Sequence, residues 1–182
     1  MPSMTDSLPR PAASEYNEYY APYVALVPDG DIVATLGSQL AETLDVLAQF
    51  TREQEAYRYA EGKWNVREVI CHLVDVERLF AFRALTMARQ DGAELPGMDQ
   101  NEWVTRSQAA DRPLEALVAE CKAVRQANVL LFASFSHETG ARTGVASGFG
   151  FSVRSFPWMI AGHELWHRAL IQRHYLRAGE EG

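Results

Sequence analysis

Two cysteines in 182 residues are too few for a disulfide framework, so Cys71 and Cys121 staple nothing and the chain suits a reducing compartment. No run approaches the eighteen or more apolar residues of a membrane span, and no basic segment followed by an apolar one stands near Met1. The expectation is a cytoplasmic protein with no membrane partner. Basic charge is also short. Against 24 Asp and Glu stand 17 Lys and Arg, the formal charge is −7, and no concentrated Lys/Arg run offers a surface to a nucleic-acid backbone, so nucleic acid is not an expected partner. Internal repeats and low-complexity tracts are missing too.

What is present is ordinary globular material, 47% apolar and 23% charged. A chain of this length fits one domain that buries roughly two-thirds of the surface its unfolded form exposes. Pro2, Pro9, Pro11, Pro22 and Pro28 break any period in residues 1–30, which read as an irregular arm packing in part through Tyr19, Tyr20 and Tyr23. From Asp31, a ready N-cap, Ile32, Leu36, Leu40, Leu44, Leu47 and Phe50 recur at helical spacing. A second helix starts after Asn65, with Glu68 completing a capping box, and buries Val66, Val69, Ile70, Leu73, Val76 and Phe80 before Gly92 and Pro96 open a loop through Trp103. Asp111-Arg112-Pro113 announces a third helix running to about Ser136. The glycine-rich stretch from Gly140 to Gly150 lacks the G-x-G-x-x-G order and reads as a plain connection. A fourth helix carries Val153, Phe156, Ile160, His163, His167, Leu170 and His174, with Pro157 in its first turn. Four amphipathic stretches without strand alternation predict an all-α four-helix bundle over residues 31–178, followed by a short tail, 179–182.

The chemistry lies in the histidines. His163 and His167 are four apart, so one helix face can offer two imidazole nitrogens to a cation, and His72 on the second helix is available as a third donor. His163-Glu164-Leu165-Trp166-His167 also spells H-E-x-x-H, in which the glutamate would be the general base of a zinc protease. The continuation fails. Arg173 and Leu170 stand where one protease class needs histidine and glycine, His174 is out of register, and only 15 residues follow His167, which leaves Glu180 and Glu181 as poor distant ligands. Glu164, adjacent to His163, points well off the ligand face, so it is a weak catalytic candidate and a better structural one, with Arg168 four residues on as a possible pair. Asp75 and Glu68 lie within reach of His72 as acceptors for a ligand ring, with solvated helix charges as the alternative. Cys71 reads as buried apolar material, and His137 and His174 as surface or bundle-end residues. The four tryptophans read as packing, although Trp103 on its loop could line a pocket mouth.

Lys63-Trp64-Asn65-Val66-Arg67-Glu68-Val69-Ile70-Cys71-His72-Leu73, followed by Asp75 and Glu77, resembles the second-helix signature of the DinB/YfiT-like superfamily. Arg154-Ser155-Phe156 through His163-Glu164-Leu165-Trp166-His167 resembles its last-helix signature, and Asp99 with Trp103 is similar to a short motif between them. The resemblance runs over most of the chain from about residue 31. It implies an up-down-down-up bundle, often a homodimer, with one divalent metal held by His72, His163 and His167 and a small molecule as substrate. It further implies either a metal-dependent transferase that uses a low-molecular-weight thiol against electrophiles or a metal-dependent hydrolase. A non-catalytic, stress-related binding module is the reading from a different class. Zinc, nickel and ferrous iron all accept three imidazoles, so the donor set leaves the metal open.

Overall fold

The computed structural model describes residues 8–176. The expected tail at 179–182, with Glu180 and Glu181, lies outside them, as do Pro2 and the rest of residues 1–7. From Leu8 the chain passes through two single 3-10 turns, Ala13–Glu15 and Glu18–Tyr20, into α1 (Ala21–Leu26). The arm is thus less irregular than expected, and it is well anchored. Arg10 lies 4.3 Å over the Trp158 ring and donates to the Val24 carbonyl at 3.0 Å, while the Trp158 indole donates to the Leu8 carbonyl at 3.2 Å. Arg154 clasps Glu15 with two hydrogen bonds at 2.8 and 2.9 Å.

Asp31 caps α2 (Ile32–Leu47) by accepting from the Val33 and Ala34 amides, as its position predicts. A short α3 (Arg52–Ala56), capped by Thr51, leads to α4 (Val66–Arg89). There the capping box is complete: Asn65 accepts from the Glu68 amide at 2.9 Å and the Glu68 carboxylate accepts from the Asn65 amide at 2.8 Å. After α4 come β1 (Glu94–Leu95), α5 (Gln100–Ser107), α6 (Leu114–Ala133), α7 (His137–Ala141), β2 (Thr143–Ala146), β3 (Phe149–Ser152) and α8 (Ser155–Ile171), which loosens into a π turn at Gln172–Leu176. Pro157 falls in the first turn of α8, where its missing amide costs no helical hydrogen bond.

Two features depart from the sequence expectation, and the first, a small sheet, corrects its all-α class. The Gly140–Gly150 segment holds most of a β-hairpin, and β1 pairs in parallel with β2 to make a three-stranded sheet. Ser147 and Gly148 turn the hairpin with φ of 54° and 81°, the left-handed pair that matches strand twist. Strands of two to four residues show too little alternation to be read against four glycines. Gly144 is needed for close approach, since a Cβ there would sit 2.7 Å from the Ala93 carbonyl oxygen. The second correction concerns Trp103, which lies on α5 rather than a loop and is 41% exposed.

α2 and α4 each pack against both α6 and α8, so the four long helices surround a shared interior in which the buried apolar residues form three clusters. Along α4 and α8 the contacts run in opposite order, His72 meeting His163 and His167 while Phe80 meets Phe156. Along α2 and α8 they run in the same order, Gln39 reaching Ala161 and Glu42 reaching Arg168. Trp158, Phe132, Phe156, Leu36, Ile70, Met87, Leu117 and Ile171 are fully buried, each stabilising by about 1.5–3 kcal/mol through lost apolar exposure.

Candidate metal centre

Helix geometry delivers the three histidines to one point. His163 and His167 share the α8 face turned toward α4, and His72, in the second turn of α4, meets them from across the interface. His72 and His163 are buried and His167 half-buried, and one ligand nitrogen from each ring lies within 4.8 Å of the others. The His72 and His163 Nε2 atoms stand 3.1 Å apart. Two imidazoles on one tetrahedral cation at about 2.0–2.1 Å would hold their nitrogens roughly 3.3 Å apart, so the pair already has ligand spacing.

Burial drives all three rings to the neutral form that a cation requires. It lowers His72 to about 4. It lowers His167 to about 3, with the His72 ring adding to the effect, and holds His163 well below its ordinary value, helped by His167 and His72. His167 Nδ1 is buried without a hydrogen-bond partner among the described residues. A buried nitrogen without a partner, in a ring that faces two other imidazoles, makes a donor set that fits a divalent metal.

The surrounding carboxylates do other work. Glu164 points away from the cluster between α2 and α6, where its oxygens accept from Gln39 at 2.8 Å and Thr43 at 2.5 Å and meet Arg125 Nη2 at 2.8 Å. Arg125 also grips Glu77 through Nε and Nη2, both at 2.8 Å. The guanidinium is buried, which disfavours its charge, yet the two carboxylates push its pKa above the usual arginine value. Glu164 is therefore held as a structural anion, and the pairing with Arg168 fails because Arg168 reaches Glu42. Glu68 is taken by the α4 cap and Arg58, and Asp75 by Arg78 and the Cys71 thiol, so neither touches a ligand ring. His174 stacks on Tyr59 at 4.6 Å between ring centroids, and His137 is exposed at the start of α7; both stand apart from the cluster.

One side of the cluster opens into a cavity of about 360 Å³ lined by His72, His163, Tyr20, Tyr23, Arg83 and Asp99, among others. The arm supplies part of this wall. Tyr23 packs edge-on to His163 at 5.5 Å and Tyr20 edge-on to Phe80 at 5.6 Å. α1 can approach so closely because residue 162 is glycine: a Cβ there would fall 2.0 Å from the Tyr23 carbonyl oxygen. Sequence reasoning placed the arm tyrosines in contact with the bundle but missed Arg83. The available signal was its spacing, 11 residues after His72 on the same helix and so nearly on the same face.

Residues 35–171 match the profile of the DinB superfamily, and the chain belongs to that superfamily. It is 26% identical over 142 residues to the "Putative metal-dependent hydrolase" of Oceanobacillus iheyensis, a match covering 77% of this chain and 79% of that protein. Its fold is similar to that of YfiT from Bacillus subtilis, described as a probable metal-dependent hydrolase with an unusual four-helix bundle topology. That structure aligns at a TM-score of 0.69 and 17% identity over 93% of each chain.

Proposed function

We propose that this protein is a metal-dependent hydrolase acting on a small molecule, with one divalent cation held by His72, His163 and His167. The observation that carries the reading is the convergence of three imidazoles from two helices, two of which, His72 and His163, line the wall of a 360 Å³ cavity. Three protein donors leave coordination positions open, which distinguishes a catalytic from a closed structural site. When bound, the cation supplies Lewis-acid charge that activates water and polarises a substrate oxygen. The chain's own residues shape what reaches it: His72 and His163 face the cavity, Val76, Leu79 and Phe80 give it an apolar wall, and Tyr20 and Tyr23 close it from the arm side. Arg67 reaches Ala110 just before α6 while Glu77 reaches Arg125 and Asn128 further along it, so α4 and α6 run in the same order, and with the contacts to α8 this supports an up-down-down-up course for α2, α4, α6 and α8.

The names of the two related proteins favour hydrolysis over thiol transfer. The protein's own thiols are poor nucleophiles, because burial pushes Cys121 up to about 12 and raises Cys71 as well. Transfer would need a thiol from outside. The test measures metal content and turnover of a panel of esters and amides, with and without added thiol, in the parent and in His72→Ala. Metal-dependent cleavage without thiol, lost in the variant, is expected. Consumption of an electrophile only when thiol is present would overturn hydrolysis in favour of transfer. Tight metabolite binding without turnover would identify a binding module. The homodimer and the cytoplasmic location belong to the same proposal, and light scattering with fractionation tests them. Among the described residues no helix is long and apolar enough to cross a membrane.

A further inference from the structure

Arg83 is a buried cation, 2% exposed, that no carboxylate among the described residues meets in an ion pair. Its Nη2 donates to the Pro96 carbonyl at 2.9 Å and to the Ser147 hydroxyl at 3.1 Å, and the Tyr20 phenol lies beside the guanidinium. Its Nε is buried with no acceptor among the described residues. Asp99 lines the same cavity but spends its Oδ1 on the Asn101 and Glu102 amides that open α5. Arg125 makes the contrast plain, since an equally buried guanidinium there is met by both Glu77 and Glu164.

A buried charge without its partner is unfavourable, and a guanidinium carries five donors in a planar fork suited to two-point contact with an oxyanion. Burial lowers the Arg83 pKa from its ordinary value, which an incoming anion would reverse. Eleven residues return the α4 helix to within about 20° of the same face, so Arg83 and His72 enter one cavity from positions three turns apart. Between them lie Val76, Leu79, Phe80 and Met98, an apolar stretch.

We infer that the cavity selects a small organic anion, a carboxylate or phosphate ester, whose oxyanion is gripped by Arg83 with an apolar segment reaching toward the three histidines. The orientation toward the histidines rests on the hydrolase reading; the anion site rests on Arg83 itself.

Calorimetric titration of the full chain, stripped of metal, tests the site without any turnover. The probes are hexanoate and butyl phosphate against their neutral counterparts, hexanamide and pentanol. The expected result is at least tenfold tighter binding of an anion than of its neutral counterpart, a preference lost in Arg83→Gln and partly kept in Arg83→Lys. Tighter binding of butyl phosphate assigns a phosphate headgroup, tighter binding of hexanoate a carboxylate, and either supports the inference. Equal affinity for anion and neutral probe in the parent would overturn it whatever the variants do, and so would an anion preference that survives in folded Arg83→Gln. Anion-selective binding with no hydrolysis of any ester would keep this inference and remove the hydrolase. Hydrolysis of neutral esters with no anion preference would do the reverse.

Discussion

Replacing Arg125 with methionine should be among the most damaging single changes in this fold, because it strands two carboxylates in the bundle interior. Arg125, Glu77 and Glu164 have side-chain exposures of 5%, 6% and 5%, and the guanidinium also donates to the Leu36 carbonyl at 3.1 Å, so it ties α2, α4 and α8 to α6. Removing one member of a buried ion pair costs about 3–5 kcal/mol, chiefly because the remaining charge is left without compensation. For a domain of this size about 1 kcal/mol corresponds to roughly 2–4 °C in Tm, which puts the fall at about 6–20 °C. Glu164→Gln should be milder, about 1–2 kcal/mol. It keeps the bidentate Glu77–Arg125 contact and the hydrogen-bonding shape toward Gln39 and Thr43. Urea denaturation of metal-free protein gives both values, and the double variant gives the coupling. A loss below about 1 kcal/mol in Arg125→Met would refute the view that this network carries net stability. Turnover separates the roles of Glu164 further: as a structural anion its glutamine variant keeps activity within a few-fold, whereas a general base would cost about 100-fold or more.

Chelation should lower the Tm by about 5–11 °C if metal is present at a hundred times its dissociation constant, since ligand bound to the native state then contributes about 2.7 kcal/mol. His72→Ala and His163→Ala should each abolish near-stoichiometric metal measured by elemental analysis. Gly162→Ala should displace the arm from α8, at about 1–3 kcal/mol, and expose α1 to limited proteolysis while α8 stays protected; unchanged cleavage would contradict the close approach at Tyr23. Burial acts to raise the Glu15 pKa, but hydrogen bonds from Arg154 and the Ala12 amide outweigh it and leave Glu15 below its ordinary 4.5. The stability this pair contributes, about 1 kcal/mol at most, is therefore full above pH 4.5 and fades as pH falls through the depressed folded value. Parent and Glu15→Gln denaturation midpoints should accordingly converge on acidification.

The parts of this molecule that showed in the sequence are those governed by local periodicity and capping. Asp31 and the Asn65/Glu68 box start α2 and α4 where expected, and the four-residue step from His163 to His167 needs only helix geometry to become a shared face. What stayed hidden depends on contacts between distant segments. β1 exists only because Glu94 and Leu95 find Val145 and Ala146, and no alternation in a two-residue strand could announce that pairing. The hydrogen-bonding partners of Glu164 come from α2 and α6, more than 35 residues away in either case, so its neighbours in sequence pointed to Arg168 instead. Arg83 is the intermediate case. Its spacing from His72 is legible, but an arginine on a helical stripe is ordinarily a solvated end of that stripe. Only when the arm tyrosines and the β2–β3 turn close over α4 does it become a buried charge that no carboxylate among the described residues meets. The strands that periodicity could not reveal are thus also the elements that turn a surface-type residue into a candidate determinant of specificity: Ser147, in the hairpin turn, accepts one of the hydrogen bonds that hold the guanidinium in place.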